Sequence, residues 1–66
     1  MIDVNKLKGQ IVSKGLTQEE VAIRIGITPT GFYGKMKKSV FRSDEIEKMI
    51  SILEIENPIE IFFPNK

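Results

Sequence analysis

The 66-residue chain contains no cysteine, no histidine and no tryptophan. Without cysteine no disulfide can form, and without cysteine or histidine the usual zinc-ligand sets are out of reach. A chain this short is marginal unless a staple, well-patterned helices or a partner subunit supports its one small core, so the last two must serve here. No uninterrupted apolar run approaches the roughly 20 residues that span a bilayer, and the amino terminus lacks the basic-then-apolar order of a secretory signal. These absences predict a cytoplasmic, single-domain chain over residues 1–66 with no membrane partner. A glycine-rich phosphate loop is also missing, and the carboxylates read as scattered over solvent-facing helix positions. With no nucleophile and base to pair, the chain is not expected to be an enzyme, nor to hold a cofactor, a metal or a small-molecule ligand.

Acid is missing locally as well. The net charge is only +1, yet no Asp or Glu occurs between Glu20 and Asp44, a gap that holds Arg24, Lys35, Lys37, Lys38 and Arg42. From Asp44 to Glu60 the balance reverses, with Asp44, Glu45, Glu47, Glu54, Glu56 and Glu60 against Lys48 alone. Such a distribution predicts one positive face, which either meets an anionic partner or simply solvates the surface.

What is present is dense helix punctuation. In Leu16-Thr17-Gln18-Glu19-Glu20-Val21-Ala22, Thr17 can cap a helix whose third residue, Glu20, reaches back to the Thr17 backbone, with Leu16 and Val21 as a hydrophobic staple. Thr28 repeats the arrangement, Pro29 takes the first helical position where a missing N–H costs nothing, and Ile27 is spaced to staple onto Phe32. Gly26 stands between the two helices, where the chain must turn sharply, and the small Ala22 faces the corner. Two capped helices around one glycine turn have the layout of a DNA-reading helix-turn-helix.

The rest of the chain reads as helix too. Val4, Leu7 and Ile11 share a face, predicting a first helix from about Asp3 to Lys14 that stops at Gly15. The second covers roughly Gln18 to Ile25 and the third roughly Pro29 to Lys37, with Ser39 to Arg42 as a connecting loop. Met36, four residues beyond Phe32, is expected to point inward. Ser43 is expected to cap a fourth helix, with Asp44 and Glu45 in its first turn and Ile46, Met49, Ile50 and Leu53 as its apolar face. Asn57-Pro58 opens a last short turn that ends at Ile61-Phe62-Phe63-Pro64. No strand pair is evident, and the predicted class is a compact all-α fold.

On Leu16 to Ala22, Gly26-Ile27 and Thr30-Gly31-Phe32-Tyr33-Gly34-Lys35-Met36 the chain resembles the Cro and lambda-repressor-like helix-turn-helix regulators. Asp44 to Met49 and the closing Ile61-Phe62-Phe63-Pro64 are similar to the ending of small phage repressors, so the resemblance covers nearly the whole length. It implies a compact five-helix, sequence-specific and often dimeric domain of a phage or prophage transcriptional regulator, which occupies an operator in the DNA of a bacterial host and is nucleoid-associated when bound. By the same resemblance Gln18 matches the helix 2 position that holds the DNA backbone, and Thr28, Pro29, Thr30, Tyr33 and Gly34 match the outward face of the recognition helix. Lys37, Lys38 and Arg42 then lie where the following loop approaches phosphates. Gly31 and Gly34 depart from the family, which commonly carries side chains there, and each costs about 1 kcal/mol of helix propensity relative to alanine. Tyr33 is open to two roles, packing or contact with a thymine methyl or phosphate.

A competing reading is a protein-interaction module, such as an antirepressor or antitoxin-like subunit that keeps the fold while its DNA face erodes. RNA binding is disfavoured because few aromatics are available for stacking. Ile59, Ile61, Phe62 and Phe63 place four large apolar residues near the carboxyl end. Adjacent Phe62 and Phe63 cannot both face one small core, so one is expected to close it beneath helices 1 and 4 while the other serves a homodimer.

Overall fold

The helices begin and end largely where local chemistry directs. In the computed structural model, which describes residues 1–64, Asp3 accepts a hydrogen bond from the Lys6 N–H at 3.1 Å and starts α1 (Val4–Ser13). Gly15 then adopts the left-handed conformation at φ +72°, and the Leu16 N–H returns to the Ile11 carbonyl at 3.1 Å, which closes the helix end. The predicted reciprocal cap of α2 (Gln18–Ile25) is present: the Glu20 N–H donates to Thr17 Oγ1 at 3.1 Å and the Thr17 N–H donates to Glu20 Oε1 at 2.9 Å. Gly26, at φ +86°, ends α2 with the Ile27 N–H bonded to the Ala22 carbonyl at 3.0 Å. Three residues later α3 (Pro29–Lys38) opens on Thr28, whose Oγ1 accepts from the Gly31 N–H at 3.0 Å.

The second half of the chain departs from the expected punctuation. α4 (Ser43–Ile52) is capped by neither Ser43 nor any other side-chain oxygen at its entry; Arg42 is the cap residue and Ser43 is already helical. A guanidinium has no acceptor, so only half of a reciprocal cap exists, the Arg42 N–H donating to Glu45 Oε1 at 2.8 Å. α5 (Pro58–Phe62) likewise begins at Asn57 without a side-chain cap. Among the described residues there is no strand, and no helix is long and apolar enough to cross a membrane.

α2 is the hub, packing against α1, α3 and α4, while α5 packs against α1. Its inward residues Val21, Ala22 and Ile25 are buried together with Leu7 and Ile11 of α1, Phe32 and Met36 of α3, and Met49 and Leu53 of α4. Ala22 is fully enclosed, and a longer side chain there would separate α2 from its neighbours. Ile46 and Ile50 pack at the edge of the same cluster. The loop from Ser39 to Arg42 does more than connect: its Phe41 is buried with its ring centroid 5.4 Å from that of Phe32 and inclined at 56°. The carboxyl end closes the core with Ile61 and Phe62, and the Asp3 N–H donates to the Ile61 carbonyl at 2.7 Å. Phe62 is 3% exposed and Phe63 52%, so one phenylalanine closes the core as expected, on an α5 that packs against α1, and the other lies half in water.

Candidate functional site

α3 presents two faces of different chemistry. Phe32 and Met36 point inward, whereas Thr30, Tyr33, Gly34, Lys37 and Lys38 are exposed. Their spacing of three, four, seven and eight residues places these five on one stripe of a helix. Pro29 is half-buried at the first turn, and Thr28 is exposed just before it. Capping the Gly31 N–H uses Thr28 Oγ1 as an acceptor, which leaves its hydroxyl proton free to donate outward. Gly34 is helical, and a Cβ added to it would meet no atom within 4 Å, so the middle of the stripe is open.

A groove of about 360 Å³ runs beside this stripe. Its lining joins Val4 and Lys8 of α1, Gln18 of α2, Tyr33, Met36 and Lys37 of α3, and Ser39. Gln18 is therefore brought to Tyr33 and Lys37 by the packing of three helices. Tyr33, 50% exposed, lines the groove and satisfies neither extreme, core packing or free solvation. Lys8 is the residue that sequence reasoning passed over. On α1 it is one more cation of a polar helix face, and only the tertiary fold sets it beside Gln18 and Lys37.

The expected positive face is redrawn by two ion pairs. Lys35 hydrogen-bonds to Glu45 Oε2, and Arg42 Nε lies 3.2 Å from Asp44 Oδ1. Glu45 is not on a solvent-facing position as read from the sequence; it is 3% exposed, with one carboxylate oxygen held by Lys35 and the other by the Arg42 N–H. Burial alone would push its carboxyl up, but Lys35, the Arg42 N–H and the nearby positive charges together hold it below the ordinary glutamate value. Lys35 is thus committed to the α3–α4 contact. The Arg42 pair is open to water and holds its guanidinium only weakly. Among the described residues no carboxylate lies within ion-pair reach of Lys8, Arg24, Lys37 or Lys38.

A larger groove, about 520 Å³, lies between α1 and the connection from α4 to α5. Lys14 pairs with Glu54 at 3.0 Å and Lys6 with Glu60 at 3.6 Å along its walls. Its opposite charges satisfy one another, and it lies away from the α3 stripe. Among the described residues no three acidic side chains gather where they could hold a metal ion. Ile59 and Phe63, four residues apart on α5 and just beyond it, are 59% and 52% exposed.

No protein-family model matches the chain, and neither does any curated protein or solved structure.

Proposed function

We propose that this chain is a sequence-specific, double-stranded DNA-binding regulator of the Cro or lambda-repressor-like kind, acting by occupying an operator in the cytoplasm of a bacterial host. In this reading α2 and α3 form the helix-turn-helix, α3 enters the major groove, and no catalysis or cofactor is involved. The observation that carries it is the exposed stripe Thr30, Tyr33, Gly34, Lys37 and Lys38, backed by a buried Phe32 and Met36 and flanked by Lys8 and Gln18. Short polar groups toward the amino end of α3 suit base edges, and the cations at its carboxyl end and on α1 suit phosphates. Thr28 and Pro29 lead into the groove, and Arg42 supports the rim despite its loose pair with Asp44.

Ile59 and Phe63 support a homodimer through α5, because two exposed apolar side chains on one short face lose unfavourable hydration when paired. A twofold dimer that sets two recognition helices about 34 Å apart would match one turn of duplex.

Retention of a random duplex pool across a salt series tests the reading. Binding is expected to weaken with a log–log slope of about −0.9 for each phosphate neutralised, and Lys8→Ala, Lys37→Ala and Lys38→Ala should each flatten that slope by about one contact. Weak retention that ignores salt rejects DNA binding. That result would favour the interaction module, which the engagement of Lys35 and Arg42 by acids of α4 also supports.

A further inference from the structure

The side chains offered on the outward stripe of α3 define what kind of base contact it can make. Bidentate reading of guanine takes Arg or Lys, and bidentate reading of adenine takes Asn or Gln. α3 contains no Arg, Asn or Gln at all, and one of its lysines, Lys35, is bound to the buried Glu45. At the amino end and centre of the stripe stand Thr30, Tyr33 and Gly34: a methyl beside a hydroxyl, a half-exposed aromatic ring, and no side chain. Gly34 has open space around the position of a Cβ, so the helix is flat there and its backbone can come closer to a groove floor than a helix bearing long side chains. The free cations Lys37 and Lys38 lie at the opposite, carboxyl end.

Flat, short and apolar is the complement of one major-groove feature, the 5-methyl group of thymine. We propose that α3 discriminates its site chiefly through thymine methyl groups packed against Thr30 and Tyr33, with Gly34 permitting the close approach. The inference rests on the duplex-binding reading above and names the chemistry that reading leaves open. Lys8, Lys37 and Lys38 contribute affinity that is nearly independent of sequence.

The test compares the full chain on duplexes selected from a random pool with the same duplexes in which every thymine is replaced by deoxyuridine, which deletes the methyl and leaves base pairing intact. Binding to the deoxyuridine form is expected to fall about fourfold for each methyl that the protein buries. Thr30→Ser keeps the hydroxyl and removes the methyl, and Tyr33→Ala removes the ring; each should lower the thymine-to-uracil ratio toward one. Both side chains are exposed, so melting curves should stay near that of the unaltered chain. Equal binding to thymine and deoxyuridine duplexes, with clear salt-sensitive retention of both, overturns methyl reading and leaves DNA binding standing. A ratio that survives both substitutions overturns the assignment to Thr30 and Tyr33. Retention of neither duplex rejects DNA binding itself and the methyl inference with it.

Discussion

Asp3, Thr17 and Thr28 each start a helix with a side-chain oxygen that accepts a backbone N–H, whereas Arg42 and Asn57 start theirs without one. The helix ends divide in the same place. Gly15 and Gly26 take the left-handed turns after α1 and α2 at φ +72° and +86°, but after α3 and α4 the same turn falls on Ser39 and Glu54 at φ 59° and 50°. The hydrogen bonds that close these turns are alike in both halves, Leu16 to Ile11 and Ile27 to Ala22 in one, Val40 to Lys35 and Ile55 to Ile50 in the other. The first half therefore specifies its boundaries locally. In the second half helices without caps and turns with a misplaced Cβ are held by contacts from afar: Phe41 on Phe32, Glu45 on Lys35, and Phe62 in the core. At the helix boundaries, distant contacts should thus dominate substitution effects after Ser39, and local conformation should dominate before it.

The largest expected effect breaks the second half at its end. Phe62→Ala should cost about 3–5 kcal/mol, most of the stability of a domain this size, because the ring is almost wholly buried and leaves a cavity. Phe63→Ser, one residue on and half exposed, should leave the melting temperature nearly unchanged. On the proposed dimer it should lower self-association in sedimentation. Comparable unfolding by both substitutions would show that α5 is held by its surface face as well, and that the contrast between neighbours is false.

Next in size is the link between α3 and α4. Glu45→Gln removes the charge from a buried group bonded to Lys35 and to the Arg42 N–H. Lys35, whose side chain is 31% exposed, can still turn to water, so the cost should be about 1–3 kcal/mol, below that of stranding a fully buried partner. Because the folded Glu45 carboxyl is held below its ordinary value, its contribution is complete above the unfolded value of about 4.3 and is lost as pH falls through the lower folded value. Thermal melts of the two proteins should therefore differ at neutral pH and converge in acid. A gap that persists unchanged into acid would assign the loss to altered packing.

The same division explains what could be read from the chain. Thr17 with Glu20, Thr28 with Pro29, and the glycines at 15 and 26 carry their meaning within a few residues, so α1 to α3 and the turn between α2 and α3 were legible. Phe41 was not, because a single aromatic in a four-residue connection has no periodicity to place it. The entry of α4 did carry a signal, a glutamate three residues after Arg42, but Ser43 is the better capping residue by type and it obscured the register. On the α3 stripe the spacing revealed which residues face outward. Lys8 joins them only through the packing of α1 beside α2 and α3, which no stretch of sequence contains.

Exchanging the residues of the left-handed turns sharpens the comparison at about 1 kcal/mol. Ser39→Gly should stabilise the chain by roughly that amount, since glycine reaches φ 59° without a Cβ clash and no side-chain hydrogen bond of Ser39 is lost among the described residues. Gly26→Ala should destabilise by a similar amount, although a Cβ there would touch nothing, because φ +86° is itself unfavourable for an L-residue. Denaturant midpoints that move the other way for Ser39→Gly would show that the extra flexibility of the unfolded chain outweighs the strain relieved.

The smallest effect separates the two glycines inside α3, where the well-punctuated first half is weak in helix propensity. Gly34→Ala adds a Cβ into open space on a helical residue and should stabilise by up to about 1 kcal/mol. Gly9→Ala in α1 meets equally open space and supplies the same gain as an internal reference. Gly31→Ala is different, because its Cβ would stand 3.0 Å from Thr28 Oγ1, the atom that accepts the Gly31 N–H. Either the hydroxyl retreats and the cap weakens, at about 1 kcal/mol for a lost cap, or the helix entry shifts. The propensity gain and the cap loss should then nearly cancel, leaving Gly31→Ala close to neutral. Chemical denaturation of the three variants reads the difference directly. If Gly31→Ala gains as much as Gly34→Ala, the Thr28 hydroxyl has room to move without releasing the Gly31 N–H, and the entry of α3 is less tightly specified than its cap suggests.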